Sequence, residues 1–285
     1  MNFLKISKIE NENANVKTFY FQNKLDSLPG QFAMLWIPGI DQKPFSISSD
    51  DGKTFGLTIF KRGPLTNKLF EMQVGDRVGI TGPYGTSFTV DPKLHYIMVA
   101  GGYGAAPLSF LASLLCHPEF ISGSEINNNT ADQQILKQVQ HDIKIDFLAG
   151  GRTKDNLLFE DRLSKIPNLK LHIITDDGSK GYKGFVTNLL PNIISADSCQ
   201  KLVVTCGPEL MQKKVLDICN EYNVACEVSI ERYMKCGVGV CGQCVVDDLG
   251  ICMCKEGPVV NRELANKIFE FGKYHRDKSG AKINL

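Results

Sequence analysis

The texture of the chain changes once, near residue 93, and that change limits the fold more than any other feature. Up to about Pro92, short β-type runs (Val16 to Phe21, Phe32 to Ile37, Gly56 to Lys61, Arg77 to Thr81) are separated by Gly, Pro and Asp turns. Such runs close most readily into a small antiparallel barrel or sandwich. From His95, buried-strand runs alternate with helical stretches: Tyr96 to Ala100, Leu108 to Leu115, Ile143 to Ala149, Asn156 to Ile166, Lys170 to Thr175, Val186 to Pro191, Lys201 to Thr205 and Glu209 to Glu221. Strand-helix alternation predicts a doubly wound parallel sheet. The expected fold class is therefore an all-β barrel plus an α/β domain, divided as residues 1–92 and 93–228. A small cysteine-rich module at 229–260 and a charged tail at 261–285 follow, the tail either solvated or docked on a partner. A polar stretch from Ser122 to Gln134 is expected to be a surface insertion. No internal repeat is visible.

Charge narrows the class of partner. Lys and Arg total 32 against 31 Asp and Glu, so no basic excess is available to neutralise a nucleic acid backbone or an acidic membrane. No apolar run approaches the ~20 residues needed to span a bilayer. The N-terminal residues do not show the apolar core of a secretory signal. A soluble cytoplasmic protein is expected.

That compartment changes the meaning of the ten cysteines. Cytosolic thiols stay reduced, so clustered ones usually hold metal or carry redox chemistry. Five lie between Cys236 and Cys254. Cys236, Cys241 and Cys244 have the spacing Cys-x4-Cys-x2-Cys of plant-type [2Fe-2S] sites, with Cys252 and Cys254 downstream. Gly237, Gly239 and Gly242 permit the tight turns that bring backbone N–H groups against sulfur. Spacing alone does not choose between Cys252 and Cys254 as fourth ligand. A zinc site from Cys241, Cys244, Cys252 and Cys254 is the competing reading, but it leaves Cys236 unexplained. Cys116, Cys199, Cys206, Cys219 and Cys226 are scattered and read as small buried hydrophobes.

Two further segments suit nucleotides. In the first domain Lys43-Pro44-Phe45-Ser46 offers a cation for a diphosphate, a fixed backbone and a hydroxyl, as a flavin nucleotide would need. Downstream, Thr66 is expected to cap a helix over Asn67 to Glu71, whose free N–H groups suit phosphate oxygens. The bland readings are an exposed turn and an ordinary cap. In the second domain Gly101-Gly102-Tyr103-Gly104 breaks a buried strand into a helix, as a dinucleotide site requires. Thr175 to Gly184 and Cys206-Gly207-Pro208 also follow buried strands. Three such loops therefore converge on one sheet edge.

In this order, the segments resemble the ferredoxin-reductase superfamily, and most closely the archaeal-type electron-transfer subunit of dihydroorotate dehydrogenase B. The likeness covers nearly the whole chain and is strongest from Glu231 to Cys244 and from Cys254 to Val259. It implies a flavin-binding barrel, a nicotinamide-nucleotide domain and a [2Fe-2S] module. FAD would be held by Lys43, Pro44, Phe45, Ser46, Ile59, Phe60, Lys61, Leu65 and Thr66. Lys43 stands where the family has arginine, and Leu65 where it has glycine. NAD(H) would lie against Gly101, Gly102, Gly104, Cys206, Gly207 and Pro208. The cluster ligands would be Cys236, Cys241, Cys244 and Cys254, since the family's last ligand immediately precedes a segment like Lys255-Glu256-Gly257-Pro258-Val259.

The resemblance also implies a relay. Dihydroorotate reduces FMN on a separate catalytic subunit, and electrons pass through [2Fe-2S] and FAD to NAD+ in pyrimidine biosynthesis, within a heterotetramer of two copies of each subunit. The chain would be an oxidoreductase component with diaphorase activity and no acid or base catalyst of its own. The cluster module would face the catalytic subunit through Tyr233, Met234 and Val240. The alternatives are a diaphorase subunit of a soluble hydrogenase or sulfhydrogenase, and a zinc-binding regulatory or adaptor protein.

Overall fold

The computed structural model describes residues 2–116 and 143–285. The expected insertion from Ser122 to Gln134 lies outside them. The first domain is a closed six-stranded antiparallel barrel, built from β1 (Asn2–Asn13), β2 (Val16–Gln22), β3 (Phe32–Ile37), β4 (Asp41–Asp50), β5 (Thr54–Phe60) and β6 (Arg77–Tyr84), in the order β1-β2-β5-β4-β3-β6. Alternate residues point inward, so Ala33, Leu35 and Ile37 join Phe19, Phe21, Phe55 and Leu57 in the barrel core. Phe21 and Phe55 are directly paired across strands and stack at 5.2 Å.

β1 and β4 were not expected from the sequence. In β1 a register shift between Ile6 and Lys8 moves the apolar residues out of a single period. In β4 residues 41–46 pair with β3, whereas pairing with β5 begins at Ile47. β4 and β5 therefore splay apart before Ile47, over residues 41–46, and Pro44 needs no ladder donor on the open side. A short helix, α1 (Pro64–Glu71), follows β5.

The second domain is a seven-stranded sheet. β7 (His95–Gly101), β8 (Ile145–Gly151), β9 (Leu169–Thr175) and β10 (Tyr182–Lys183) run outward in one direction. The chain then returns to β11 (Lys201–Cys206) and β12 (Ala225–Ser229) on the other side of β7. All of these pairs are parallel, and an antiparallel β13 (Val259–Asn261) completes the edge. The direction reverses between β7 and β11, so their carboxyl ends form a topological switch point, where open α/β sheets leave a ligand crevice. Helices α2 (Ala105–Cys116) and α5 (Glu209–Glu221) cover the sheet. Between them α3 (Glu160–Leu163) and α4 (Leu190–Ile194) are single turns, so the helix expected over Asn156 to Ile166 is largely replaced by irregular backbone.

Gly104 lets the turn after β7 pack directly against the end of β11. A Cβ there would lie 2.2 Å from the Cys206 carbonyl oxygen and 2.7 Å from the Gly207 nitrogen, both backbone atoms. Gly104→Ala is therefore expected to cost about 1–3 kcal/mol as overpacking, read as a lower urea midpoint.

The tail is folded. After α6 (Arg262–Lys267), residues Ile268 and Phe271 enter the core shared by the sheet, Cys244 and Cys254, and β14 (Tyr274–Arg276) pairs with β15 (Lys282–Asn284). Among the scattered cysteines, Cys116, Cys206, Cys219 and Cys226 are buried as expected, but Cys199 is exposed.

Candidate functional site

Where β4 and β5 part, a cleft of about 500 Å³ opens between the barrel, the switch point and the segment after β12. The barrel contributes Lys43, Pro44, Phe45 and Ser46 from β4, Thr58 and Phe60 from β5, and Leu65 and Thr66 from α1. The second domain contributes Tyr103, Gly104 and Cys206. Ser229 through Met234 close the far wall.

Strand alternation decides which expected residues reach the cleft. Thr58 and Phe60 face it, so Ile59 between them is fully buried among barrel side chains. Lys61 stands over the Phe70 ring, 5.7 Å from its centroid. Gly101, Gly102, Gly207 and Pro208 lie at the adjoining strand ends but do not line the cleft. Thr66 is not the helix cap. Gly63 is, and Thr66 sits one turn in, its Oγ1 accepting from the Arg62 and Gly63 N–H groups at 2.9 Å each. The Leu65 side chain enters the barrel core. Any anion at this helix start therefore meets backbone N–H groups that have no partner within the helix, and that contact does not require glycine at position 65.

Lys43 is the cation nearest the open edge of β4. Its Nζ lies 3.0 Å from Asp41 Oδ2, donates to Tyr233 Oη at 2.8 Å, and stands 4.3 Å from the centroid of the Tyr233 ring. Across the cleft Phe60 and Tyr103 stack at 5.8 Å with 20° between their planes. The Glu231 carboxylate opens into the cleft yet is ringed by protein. Desolvation, reinforced by Glu209, raises its pKa, with Arg62 and Arg232 opposing. The charge of Glu231, with burial, pushes Tyr103 up to about 12. Arg62, Tyr103 and the 229–234 segment were not anticipated as site residues. The signal available was a fourth strand end, that of β12, arriving at the same sheet edge.

The cysteine loop begins two residues beyond the cleft wall. Gly237, Gly239 and Gly242 all have positive φ, between 67° and 77°, and these left-handed turns direct amides at sulfur. Val238 N–H donates to Cys236 Sγ at 3.4 Å, Gly239 N–H to Cys254 Sγ at 3.1 Å, and Cys254 N–H to Cys244 Sγ at 3.3 Å. Burial alone would raise the Cys236 thiol, but the amides of Cys241, Val238 and Val240 outweigh it and bring its pKa down to about 6. Burial pushes Cys244 up to about 12.

The sulfurs meet in two pairs, Cys236 with Cys241 and Cys244 with Cys254. Among the described residues no three metal-ligating side chains close on one point. Cys252 differs from the others. Its Sγ faces the Gly239 carbonyl at 3.9 Å, and its N–H donates to Glu256. The donor set therefore fits an iron-sulfur cluster, with four sulfurs in two pairs and amides aimed at three of them.

A model of the iron-sulfur cluster binding domain of dihydroorotate dehydrogenase B matches residues 231–264. Over 280 residues the chain is 45% identical to a protein of Methanocaldococcus jannaschii named as a probable dihydroorotate dehydrogenase B (NAD(+)) electron transfer subunit, covering 98% of this chain and 96% of that one. The chain belongs to that family. A counterpart from Methanothermobacter thermautotrophicus, carrying the same name, is 36% identical over 98% of this chain and 96% of its own length. The solved structure of an NADH-dependent reduced ferredoxin-NADP oxidoreductase superposes with a TM-score of 0.75 over 95% of this chain and 93% of that one, at 23% identity. That likeness is one of fold: a barrel followed by a parallel sheet, as expected from the sequence. Among the described residues no helix is long and apolar enough to cross a membrane.

One expectation about the cluster module needs correction. Met234 is only 5% exposed and packs in the shared core, so it offers no docking surface. Val240, which was among the expected residues, is 83% exposed, and with Val238 at 50% it forms the apolar rim of the loop.

Proposed function

We propose that the chain is the electron transfer subunit of an NAD-dependent dihydroorotate dehydrogenase, carrying electrons from a catalytic subunit to NAD+ with a [2Fe-2S] cluster and FAD as its carriers. One observation carries this reading. The segment that ends at Cys236 also supplies Tyr233 and Met234 to the wall of the nucleotide-sized cleft, so the cysteine loop and the cleft share a boundary. The family relationship supports it over the hydrogenase-type and zinc-adaptor readings.

When bound, FAD exchanges two electrons with a nicotinamide and single electrons with an iron-sulfur cluster. The protein's part is positional. Lys43 and the first turn of α1 would hold the flavin diphosphate, and Phe45, Ser46 and Phe60 would line its ring. Gly104 and Cys206, with Gly101, Gly102, Gly207 and Pro208 behind them, would form the nicotinamide side. Cys236 and Cys241 would hold one iron, and Cys244 and Cys254 the other. The corresponding units are residues 1–92 for flavin, 93–228 for nicotinamide nucleotide and 229–260 for the cluster, with 261–285 bracing the last. The partner is proposed to be an FMN-containing catalytic subunit in a cytoplasmic heterotetramer, docked on the Val238–Val240 rim, where apolar exposure favours an interface.

Reconstituted with FAD and iron, the chain alone is expected to oxidise NADH with an artificial one-electron acceptor, yet to leave dihydroorotate untouched until the catalytic subunit is added. Dihydroorotate oxidation by the chain alone would overturn the subunit reading.

A further inference from the structure

We infer that Tyr233, carried by the cluster segment, is half of the clamp for the flavin diphosphate and makes the single lysine at position 43 sufficient. The inference rests on the reading that the cleft takes FAD. An ammonium is a point charge on a flexible stem and lacks the rigid fork with which a guanidinium grips two oxygens. Lys43 is nevertheless fixed. Asp41 takes one N–H and Tyr233 Oη another, which leaves the third donor for a ligand in the cleft that both Lys43 and Tyr233 line. The Tyr233 hydroxyl accepts from the ammonium, so its own proton is polarised and can be donated to an anionic oxygen. Lys43 and Tyr233 together then present two donors side by side, one from each half of the molecule.

The pair also links the two cofactor sites. Tyr233 lies three residues before Cys236, and Gly237 packs against the barrel, where a Cβ would lie 3.0 Å from the Tyr84 ring and 3.1 Å from Met34. Seating of the cysteine loop on the barrel thus sets where the phenol meets Lys43.

The test uses the full chain with its cluster intact, stripped of flavin and titrated with FAD, FMN and riboflavin by flavin fluorescence. Tyr233→Phe is expected to weaken FAD by about tenfold, the usual size of a charge-assisted hydrogen bond, and to leave riboflavin, which has no phosphate, unchanged. Adding Lys43→Arg to Tyr233→Phe is expected to restore FAD affinity to within about twofold, because the guanidinium supplies the second donor itself. Iron content and the visible circular dichroism of the cluster should stay at the wild-type level throughout. Equal weakening of riboflavin and FAD would show that Tyr233 acts by packing and would overturn the clamp, as would undiminished FAD binding by Tyr233→Phe. Wild-type protein that binds no FAD would instead sink the flavin reading itself.

Discussion

Cys254→Ser is expected to abolish the visible absorbance of the reconstituted cluster, whereas Cys252→Ser leaves spectrum and iron content near wild type. The two cysteines are two residues apart on one short segment, so proximity in sequence does not separate them. Their surroundings do. Cys254 Sγ receives the Gly239 N–H, sits against Cys244, and is 2% exposed. Burial raises the pKa of Cys254, with the Gly239 N–H opposing, and that N–H would spread the negative charge of a ligating thiolate. Cys252 Sγ instead faces a carbonyl oxygen, whose partial negative charge opposes the charge of a ligating sulfur. Serine is nearly isosteric, so loss of colour in Cys254→Ser reports loss of a ligand and not of packing. The measurement is the absorbance and iron stoichiometry of both variants after anaerobic reconstitution; a colourless Cys252→Ser beside a coloured Cys254→Ser would reverse the assignment.

Much of this site could be read before the fold was known, and the limits have physical causes. Lys43, Pro44, Phe45, Ser46, Phe60, Leu65, Thr66, Gly104 and Cys206 come together on one cleft because strand ends and a helix start announce themselves locally. Long-range geometry was not legible. Ile59 was expected among the cleft residues, but its neighbours Thr58 and Phe60 take the cleft face, and the phase of an apolar strand depends on its partners. Strand β4 was hidden because half of it pairs on one side only and is polar. The tail reads as a charged segment, either solvated or docked on a partner, since its buried positions, Ala265, Ile268, Glu270, Phe271 and Tyr274, are spread over a helix, a turn and a strand and share no period. Tyr233 and Lys43 are 190 residues apart, and nothing in either local sequence predicts that they touch.

The second large effect is expected at Arg232. Its guanidinium is 3% exposed and donates from Nε to Glu270 at 2.6 Å, and from Nη1 to Glu209 at 2.7 Å and to the Glu231 carbonyl at 2.7 Å. The second oxygen of Glu270 accepts the Asp247 N–H at 2.8 Å, and Glu209 accepts the Gly272 N–H at 2.9 Å. One cation thereby ties the cluster segment, the start of α5 and the tail together. Whether the intact network adds net stability over an apolar replacement is a separate matter, because taking charges out of water offsets much of their attraction. Removal of one member is different. Arg232→Ala leaves two carboxylates, at 1% and 8% side-chain exposure, without their cation, and a broken buried pair costs about 3–5 kcal/mol. A large fall in the urea midpoint is therefore expected, together with faster loss of iron from the cluster. The fluorescence of Trp36, the only tryptophan, follows the barrel separately. Lys8→Ala is the control, since Lys8 is exposed and Glu10 only partly covered, and such surface pairs contribute about 0–1 kcal/mol. If Arg232→Ala shifted the midpoint no more than Lys8→Ala, the tail would not be bracing the cysteine loop.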